Sequence, residues 1–280
     1  YGVWAVIVPF NFPLARGGGP VAAALVTGNT VVLKCATDTP WAGRLLADCI
    51  RDAGLPPGVF NWLAGSGSVA GAALVRDPRT AGVTFTGSVT VGREIIGALA
   101  GGAWPRPCIA EMGGKNPCIV TSRADLDRAA QGIVRSAYGM GGQKCSALSR
   151  VYVDADVAGA LLERLERRVG EIRIGDPLRR ENWLGPVVNA SAYASYARYV
   201  DELRAGGARI IAGGSQLRDG ALARGYYVEP VLAEAPLSHR LWKHEMFLPI
   251  LLVHRVRDRE EAMRLANDSD LGLTAGFYGA

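Results

Sequence analysis

One cysteine of this chain lies in a sequence suited to covalent chemistry. Cys145 ends the glycine-rich stretch GMGGQKC, residues 139–145, and Ser146 follows it. Glycines let the backbone approach a bound molecule, and the charge of Lys144 favours the thiolate form of a nearby thiol. The other four of the five cysteines lie in or beside apolar segments, where cysteine is typically an inert core residue. Cys145 is therefore the candidate nucleophile.

A nucleophilic cysteine needs a proton acceptor, and two kinds of residue in this chain could provide one. The three histidines, at positions 239, 244 and 254, lie far downstream in polar contexts, so a cysteine–histidine hydrolase is poorly supported. Glu111, in AEMGGKNP, ends an apolar strand beside two glycines, and a carboxylate partly removed from water can act as a general base near neutral pH. A strand-end charge paired with a lysine explains Glu111 as well, and its spacing alone favours this simpler interpretation.

Two glycine-rich turns are candidates for binding a phosphate. FTGSVTVG, residues 85–92, places Gly87 and Ser88 between a strand and a helix, so that backbone N–H groups and the Ser88 hydroxyl could face an anion. An ordinary helix N-cap explains the same residues equally well. GSGSVAG, residues 65–71, resembles a dinucleotide-binding motif but is one residue too long and has no acid at the required distance. A turn followed by a helix is its better interpretation.

The composition narrows the class of protein. Of 280 residues, 49% are hydrophobic and 20% charged, no apolar run is long enough to span a membrane, and no secretory signal pattern is present. An odd number of cysteines without C-x-x-C spacing argues for reduced thiols in a cytoplasmic setting and against a zinc site. The net charge of +5 comes from scattered arginines, which mildly favours an anionic ligand over nucleic acid. We therefore expect neither a metal, a membrane nor a nucleic-acid partner.

Strand and helix patterns alternate along the whole chain. VWAVIV (3–8) and TVVLK (30–34) are short β-branched runs, and TPWAGRLLADCIRDAG (39–54) is typical of an amphipathic helix. This alternation predicts an α/β architecture with mainly parallel sheets, divided near EMGGKNP. The chain begins at Tyr1 within what resembles an interior strand, so we expect a fragment of a longer protein.

Six motifs together resemble the NAD(P)-dependent aldehyde dehydrogenase superfamily. They occur in the expected order: PFNFP (9–13), GNTVVLK (28–34), FTGS (85–88), EMGGKNP (111–117), GQKC (142–145) and HEMFLP (244–249). The resemblance implies an aldehyde-dehydrogenase-like fold. Residues 1–113 would be the later part of a Rossmann-type cofactor domain, and residues 114–280 most of an α/β catalytic domain.

The resemblance also implies roles for individual residues. Cys145 would attack the aldehyde carbon, Asn11 and the Cys145 backbone N–H would form the oxyanion hole, and Glu111 would activate the water that hydrolyses a thioester. NAD is the implied cofactor, with NADP possible. The positions implied to contact it are Phe10, Lys34, Thr37, Gly87, Ser88, Glu245 and Phe247.

Three positions depart from the family pattern. Thr37 stands where a carboxylate commonly binds the ribose hydroxyls, and its side chain lacks the charge that would repel the 2′-phosphate of NADP. Phe10 replaces the usual tryptophan and Leu248 the usual glycine, neither of which bears directly on the implied chemistry.

GQKCSALSRVYV and GLTAG (272–276) resemble the branch of the superfamily that oxidises L-glutamate γ-semialdehyde in proline degradation. The resemblance implies that Ser146 helps to hold the α-carboxylate of an anionic substrate. A hydroxyl that only satisfies nearby backbone groups explains Ser146 equally well. Another aldehyde, or a truncated member without catalysis, are the alternatives, and the full-length protein is expected to be a homo-oligomer.

Overall fold

The computed structural model describes residues 1–279, which form two compact units. Unit 1 comprises Tyr1–Gly113 and unit 2 comprises Gly114–Ala280. Each unit contains one β-sheet with helices on both faces. Their roles as cofactor and catalytic domains remain predictions.

The sheet of unit 1 has five parallel strands in the order β3-β2-β1-β4-β5. The strands are β1 (Val3–Ile7), β2 (Thr30–Lys34), β3 (Phe60–Leu63), β4 (Thr80–Thr86) and β5 (Cys108–Glu111). The helices are α1 (Pro13–Val26), α2 (Pro40–Asp52), α3 (Ala72–Arg76) and α4 (Val89–Ala100). This strand order is that of a doubly wound nucleotide-binding sheet.

The alternation of side chains along β1 explains why both faces of this sheet are covered. Trp4 and Val6 face a core completed by α1 and α2, whereas Ala5 and Ile7 face a core completed by α3 and α4. Successive residues of a strand point to opposite faces, so a fully apolar strand is buried on both sides.

Helix α1 is the largest element that the sequence patterns do not predict. Its sequence, PLARGGGPVAAALV, contains three glycines and an internal proline, all of which weaken an isolated helix. Tertiary packing explains the glycine at position 17, because a Cβ there would lie 3.2 Å from Leu46 Cδ2 of α2. The close approach of the two helices therefore outweighs poor local propensity.

The sheet of unit 2 has six strands in the order β11-β6-β7-β10-β9-β8, and only the β8–β9 pair is antiparallel. The strands are β6 (Asn116–Val120), β7 (Leu148–Asp154), β8 (Arg209–Ala212), β9 (Val231–Glu234), β10 (Ile250–Val256) and β11 (Gly276–Tyr278). The helices are α5 (Leu126–Tyr138), α6 (Ala155–Gly170), α7 (Ala190–Ala205) and α8 (Arg259–Asn267). The predicted α/β architecture with mainly parallel sheets is confirmed.

Two cores cover the faces of this second sheet. Val151 and Val153 of β7 pack with α5 and α6, and Tyr152 between them packs with α7 and α8. Strands β9 and β11 are short and are not predicted from the sequence. Among residues 1–279, no helix combines the length and the apolar character needed to cross a membrane.

Candidate active site

In unit 1, the predicted site residues lie where strands end. Asn11 follows β1, Lys34 is the last residue of β2, Ser88 follows β4, and Glu111 is the last residue of β5. The carboxyl ends of parallel strands share one edge of the sheet, here called the carboxyl edge. Ligands of doubly wound sheets bind at this edge, close to the point where the strand order changes direction. In unit 1 that point lies between β1 and β4.

The residues that follow β1 and β2 differ in their exposure. Asn11 and Lys34 are buried, whereas Phe10 is half-buried and Thr37 is exposed. Burial lowers the pKa of the Lys34 ammonium, and the neighbouring Cys35 opposes this shift. The Thr37 hydroxyl donates to the carbonyl of Gly65 at 3.5 Å.

Ser88 caps helix α4. Its side chain accepts a hydrogen bond from the Val91 N–H at 3.3 Å, so the N-cap interpretation of FTGS is confirmed. Gly87 donates its N–H to the Glu111 carbonyl at 3.0 Å, and a Cβ at position 87 would lie 2.5 Å from Phe85 Cζ. Contact with a phosphate remains a prediction, and the exposed start of α4 is compatible with it.

GSGSVAG forms a turn followed by helical structure, as its better interpretation requires. Ser66 caps the helical turn Gly67–Gly71 by accepting from the Val69 N–H at 3.3 Å, and α3 follows directly. The motif is therefore an ordinary helix start after β3.

Glu111 is less enclosed than the sequence suggests. Its side chain is 47% exposed, and its ion-pair partner among the described residues is Arg16 of α1, with Nη1 4.0 Å from Oε2. The interpretation of Glu111 as a strand-end charge paired with a lysine is therefore wrong about the pairing residue, which is an arginine. A carboxylate this open to water has room for a water molecule beside it.

In unit 2, the glycine-rich stretch before Cys145 is a tight turn. Met140, Gly141 and Gly142 all have positive φ, at 57°, 65° and 67°. A Cβ at position 142 would lie 2.4 Å from the carbonyl oxygen of Leu248. Gly142 is therefore required by the close approach of its own chain, rather than by a ligand.

Gln143 fixes this turn from inside the protein. The residue is 6% exposed, and its Nε2 donates to the Met140 carbonyl at 2.9 Å. Its Oε1 accepts from the Val188 N–H at 2.8 Å. The side-chain amide thus ties the turn to a segment more than forty residues away in sequence.

Cys145 lies in the turn that follows. The Ala147 N–H donates to the Lys144 carbonyl at 3.0 Å, Cys145 is half-buried, and Ser146 is exposed. A Cβ placed on Gly139 would lie 3.2 Å from the Lys144 Nζ. The ammonium group of Lys144 therefore lies beside the start of the glycine-rich turn.

Glu245 and Phe247 precede β10. Glu245 is half-buried, and its Oε1 accepts a hydrogen bond from the Gly114 N–H at 2.9 Å. Burial raises the pKa of the Glu245 carboxyl, while the Gly114 N–H and the charge of Lys115 oppose this rise. Phe247 has a φ of 56°, an unfavourable conformation for an aromatic residue.

Two buried cations, Lys115 near Glu245 and its neighbour Arg150, are absent from the sequence prediction. Lys115 is 1% exposed, and its Nζ has no hydrogen-bond partner among the described residues. Burial lowers the pKa of Lys115 to about 7, the charge of Arg150 adds to this, and Glu245 opposes it. Arg150 donates to the Lys115 carbonyl and, at 3.0 Å, to the Ala266 carbonyl. The signal in the sequence is the charged residue at position 150, within the otherwise apolar strand pattern of β7.

Asn116 is a further residue that the motif analysis does not single out. It is buried at the start of β6 and donates to the carbonyls of Cys145 and Ala147, each at 2.8 Å. Its position directly after GGK, at the first residue of a strand, is the only sequence signal for this role.

These two units define a class of protein. Unit 1 has a doubly wound sheet with polar residues at its carboxyl edge, and unit 2 holds a cysteine in a turn fixed by buried amides. The family model for the aldehyde dehydrogenase family matches residues 1–280, and the chain belongs to that family.

Known proteins that are similar to this chain include dehydrogenases with two different names. It is 40% identical over 278 residues to 1-pyrroline-5-carboxylate dehydrogenase of Geobacillus thermodenitrificans, which covers 98% of the chain and 53% of that protein. It is 40% identical over 280 residues to alpha-ketoglutaric semialdehyde dehydrogenase of Bacillus subtilis, which covers 99% of the chain and 57% of that protein.

A solved structure agrees with these relatives. The crystal structure of 1-pyrroline-5-carboxylate dehydrogenase from Thermus with bound NAD superimposes with a TM-score of 0.94 at 38% identity. The match covers 99% of the chain and 54% of that structure. The chain therefore spans about half the length of the relatives that it matches.

Proposed function

We propose that the whole protein to which this chain belongs oxidises an aldehyde to a carboxylic acid through a thioester on Cys145, using NAD(P). The observation that carries the proposal is the half-buried cysteine in a turn whose backbone is held by Gln143 and Asn116. A half-buried thiol on a rigid turn is suited to attack a bound carbonyl.

Four groups of the chain would share the chemistry. The Cys145 thiolate adds to the aldehyde carbon, and the resulting oxyanion is stabilised by the Asn11 side-chain amide and the Cys145 backbone N–H. NAD(P), when bound, would supply the acceptor for the hydride of the adduct, so that Cys145 would then carry a thioester. Glu111 then takes a proton from the water that attacks the thioester, which releases the acid and frees the thiolate.

The carboxyl edge of unit 1 has features that fit a dinucleotide. The exposed start of α4 offers backbone N–H groups, Gly87 has no side chain, and Lys34 ends the neighbouring part of the sheet. Ser88 would contact the pyrophosphate and Lys34 the adenosine ribose. Glu245, whose Oε1 accepts from the Gly114 N–H, would contact the nicotinamide ribose, and Phe247 would pack near it.

We propose NAD as the preferred cofactor, with NADP tolerated. Thr37 is exposed and uncharged, so it would not repel a 2′-phosphate as a carboxylate would. The measurement is the ratio of kcat/KM for the two cofactors, compared between the natural sequence and Thr37→Glu. A ratio that does not move toward NAD in the variant would contradict a role for Thr37.

L-Glutamate γ-semialdehyde is the proposed substrate, with L-glutamate as the product. The relatives named 1-pyrroline-5-carboxylate dehydrogenase support it, and the exposed Ser146 next to Cys145 could donate to the α-carboxylate. The equally similar alpha-ketoglutaric semialdehyde dehydrogenase favours a second candidate, a keto-acid semialdehyde. Both candidates carry a carboxylate, in line with a mildly basic chain.

We further propose a cytoplasmic homo-oligomer without a metal cofactor. Its five cysteines are all free in the structure, which suits a reducing compartment. A truncated, non-catalytic member remains the rival interpretation.

The decisive assay is reduced-nicotinamide formation by the whole protein. The two semialdehydes and propanal would be compared, with Cys145→Ser as the control. Preference for glutamate semialdehyde, lost in the control, supports the proposal, and preference for the keto acid selects the second candidate. Turnover of propanal alone discards both substrates, and no turnover with any aldehyde favours a non-catalytic protein.

A further inference from the structure

Asn116 is only 2% exposed, and its side chain makes three hydrogen bonds. Its Nδ2 donates to the carbonyls of Cys145 and Ala147, each at 2.8 Å, and its Oδ1 accepts from the Thr274 N–H at 2.9 Å. The two donors of this amide therefore go to the turn that contains the nucleophile, and the acceptor goes to the segment before β11.

Two hydrogen bonds control the backbone on either side of Cys145. The peptide plane before it carries the Lys144 carbonyl, which accepts from the Ala147 N–H at 3.0 Å. The peptide plane after it carries the Cys145 carbonyl, which accepts from Asn116. Because both planes are held, the direction of the Cys145 Cα–Cβ bond is set, and the thiol keeps only its χ1 rotation.

The first of these planes also carries the backbone N–H of Cys145, which the proposed mechanism uses to stabilise the oxyanion. The hydrogen bond from Asn116 to the Cys145 carbonyl is reinforced by packing, since a Cβ at Gly114 would lie 2.3 Å from that carbonyl oxygen. The same Gly114 donates its N–H to Glu245. The segment 114–116 thus touches both the nucleophile's peptide and the carboxylate proposed to hold the nicotinamide ribose.

The carbonyl of Ser146 is engaged as well. It accepts from the Thr274 hydroxyl at 3.4 Å, and the Thr274 backbone is itself held by Asn116. The three consecutive carbonyls of residues 145–147 are therefore all bonded, directly or through Thr274, to one buried amide. Loss of that amide would leave buried acceptors unpaired next to the thiol.

We propose that Asn116 is a positioning residue for Cys145, which sets the direction of the thiol and of the adjacent oxyanion-binding N–H without touching the substrate. The inference rests on the proposed function, because it assigns Asn116 to that reaction. It predicts that two amide hydrogens at position 116, rather than polarity or volume, are needed for catalysis.

Three variants of the whole protein separate this role from general stability. Asn116→Asp keeps the volume and the acceptor for Thr274 but removes both donors, and Asn116→Leu removes all three bonds without adding charge. Asn29→Asp is the matched control, since Asn29 is also buried, donates to the Ala24 carbonyl at 3.1 Å and accepts from the Gly2 N–H at 3.1 Å. Asn116→Ser, which keeps one donor, replaces Asn116→Asp if that variant does not fold.

Two readouts are measured for each variant, with the unfolding midpoint alongside. One is the rate of acylation by p-nitrophenyl acetate without cofactor, which needs the thiol and oxyanion groups alone, and the other is kcat for aldehyde oxidation. We expect both rates to fall about tenfold or more in both Asn116 variants, since misplacement by about 1 Å can cost about a hundredfold. The Kd for NAD should stay within about twofold, as should both rates in Asn29→Asp.

Acylation and turnover within about twofold of wild type in Asn116→Asp would overturn the inference, as would equal losses in Asn29→Asp at equal destabilisation. Failure of the proposed function would look different. In that case the wild-type protein would be acylated at Cys145 but would form no reduced nicotinamide, and the acylation rates would still decide the role of Asn116.

Discussion

The two units present their predicted site residues at opposite ends of their strands. In unit 1 these residues complete or follow strands, as Lys34, Ser88 and Glu111 do. In unit 2 they precede strands, since Cys145 comes before β7 and Glu245 before β10. Both sheets are mainly parallel, so unit 1 presents these residues at the edge where its strands end and unit 2 presents them at the edge where its strands begin.

The way in which the residues are held differs too. Ser88 and Glu111 of unit 1 are exposed, and their positions follow from the ends of strands and the start of a helix. The turn of unit 2 is held by buried side-chain amides, those of Gln143 and Asn116. A doubly wound topology by itself creates a binding edge, whereas a nucleophile before a strand needs additional polar side chains to fix it. The turn at Ser88 in unit 1 should therefore tolerate local substitutions with a smaller loss of stability than the turn before Cys145 in unit 2.

Glu111→Gln tests the one exposed residue of unit 1 that is proposed to act directly in the reaction. We expect kcat to fall by about 10²–10⁴-fold, because a general base contributes about this much. Acylation of Cys145 should survive, so a first burst of reduced nicotinamide should remain in rapid-mixing experiments. If no burst is seen, Glu111 is needed before the thioester forms, which would contradict its assignment as the base that activates the hydrolytic water.

Gly142→Ala tests the rigidity of unit 2. A Cβ there would meet the Leu248 carbonyl at 2.4 Å, in a residue with a φ of 67°. Clash and strain together should lower the free energy of unfolding by about 3 kcal/mol, measured by guanidinium denaturation. Gly87→Ala in unit 1 is the comparison, since its clash is with the end of a side chain, Phe85, and should cost about half as much. Equal losses in the free energy of unfolding for the two variants would contradict the proposed difference between the units.

Lys115→Met removes the buried ammonium of unit 2 and should stabilise the protein. Burial lowers the pKa of Lys115 from 10.5 to about 7, so the protonated form of Lys115 destabilises the folded state. The penalty is complete below pH 7 and fades as the pH rises toward 10.5, because the unfolded chain binds more protons in that interval. We expect a gain of about 2 kcal/mol at pH 6 that vanishes near pH 10.

The matched control for this prediction is Lys243→Met, which removes an exposed lysine paired with Asp268. That variant should show a small loss of stability with no dependence on pH between about 6 and 9. A gain for Lys115→Met that does not depend on pH would mean that the ammonium is not responsible.

Ser88→Ala should have the smallest effect. The hydroxyl caps α4 by accepting from Val91, and loss of an N-cap costs about 1 kcal/mol. If Ser88 also contacts the pyrophosphate, the KM for NAD should rise about tenfold while kcat changes little, because a hydrogen bond to a charged group contributes about 1.5 kcal/mol or more. An unchanged KM would leave Ser88 as a cap alone and weaken the assignment of the carboxyl edge.

Much of the fold could be predicted because its strands and helices have clear periodicity. The β-branched run TVVLK predicts a buried parallel strand, and β2 has the same limits. Helix α1 could not be predicted, since glycine and proline within it disfavour a helix, and packing against Leu46 of α2 compensates. Strand β11, with three residues, is too short to show a period.

The candidate site divides in the same way. Cys145, Glu111 and the turn at Ser88 could be found from residue types next to glycines and strand ends. Asn116, Gln143 and Lys115 belong to the same motifs, yet nothing in their spacing says that they are buried. The partner of Glu111 was predicted to be a lysine and is Arg16, because α1, which carries Arg16, is the unpredicted helix.

The sequence by itself determined the α/β class, the family and the candidate nucleophile, because these follow from local periodicity and from motifs of adjacent residues. Only the tertiary structure decided that Gly142 makes room for the Leu248 backbone and that one amide, Asn116, holds the carbonyls around Cys145. Those contacts join residues about 30 to 160 positions apart, and hydrogen bonds over such separations depend on how the strands are arranged in space.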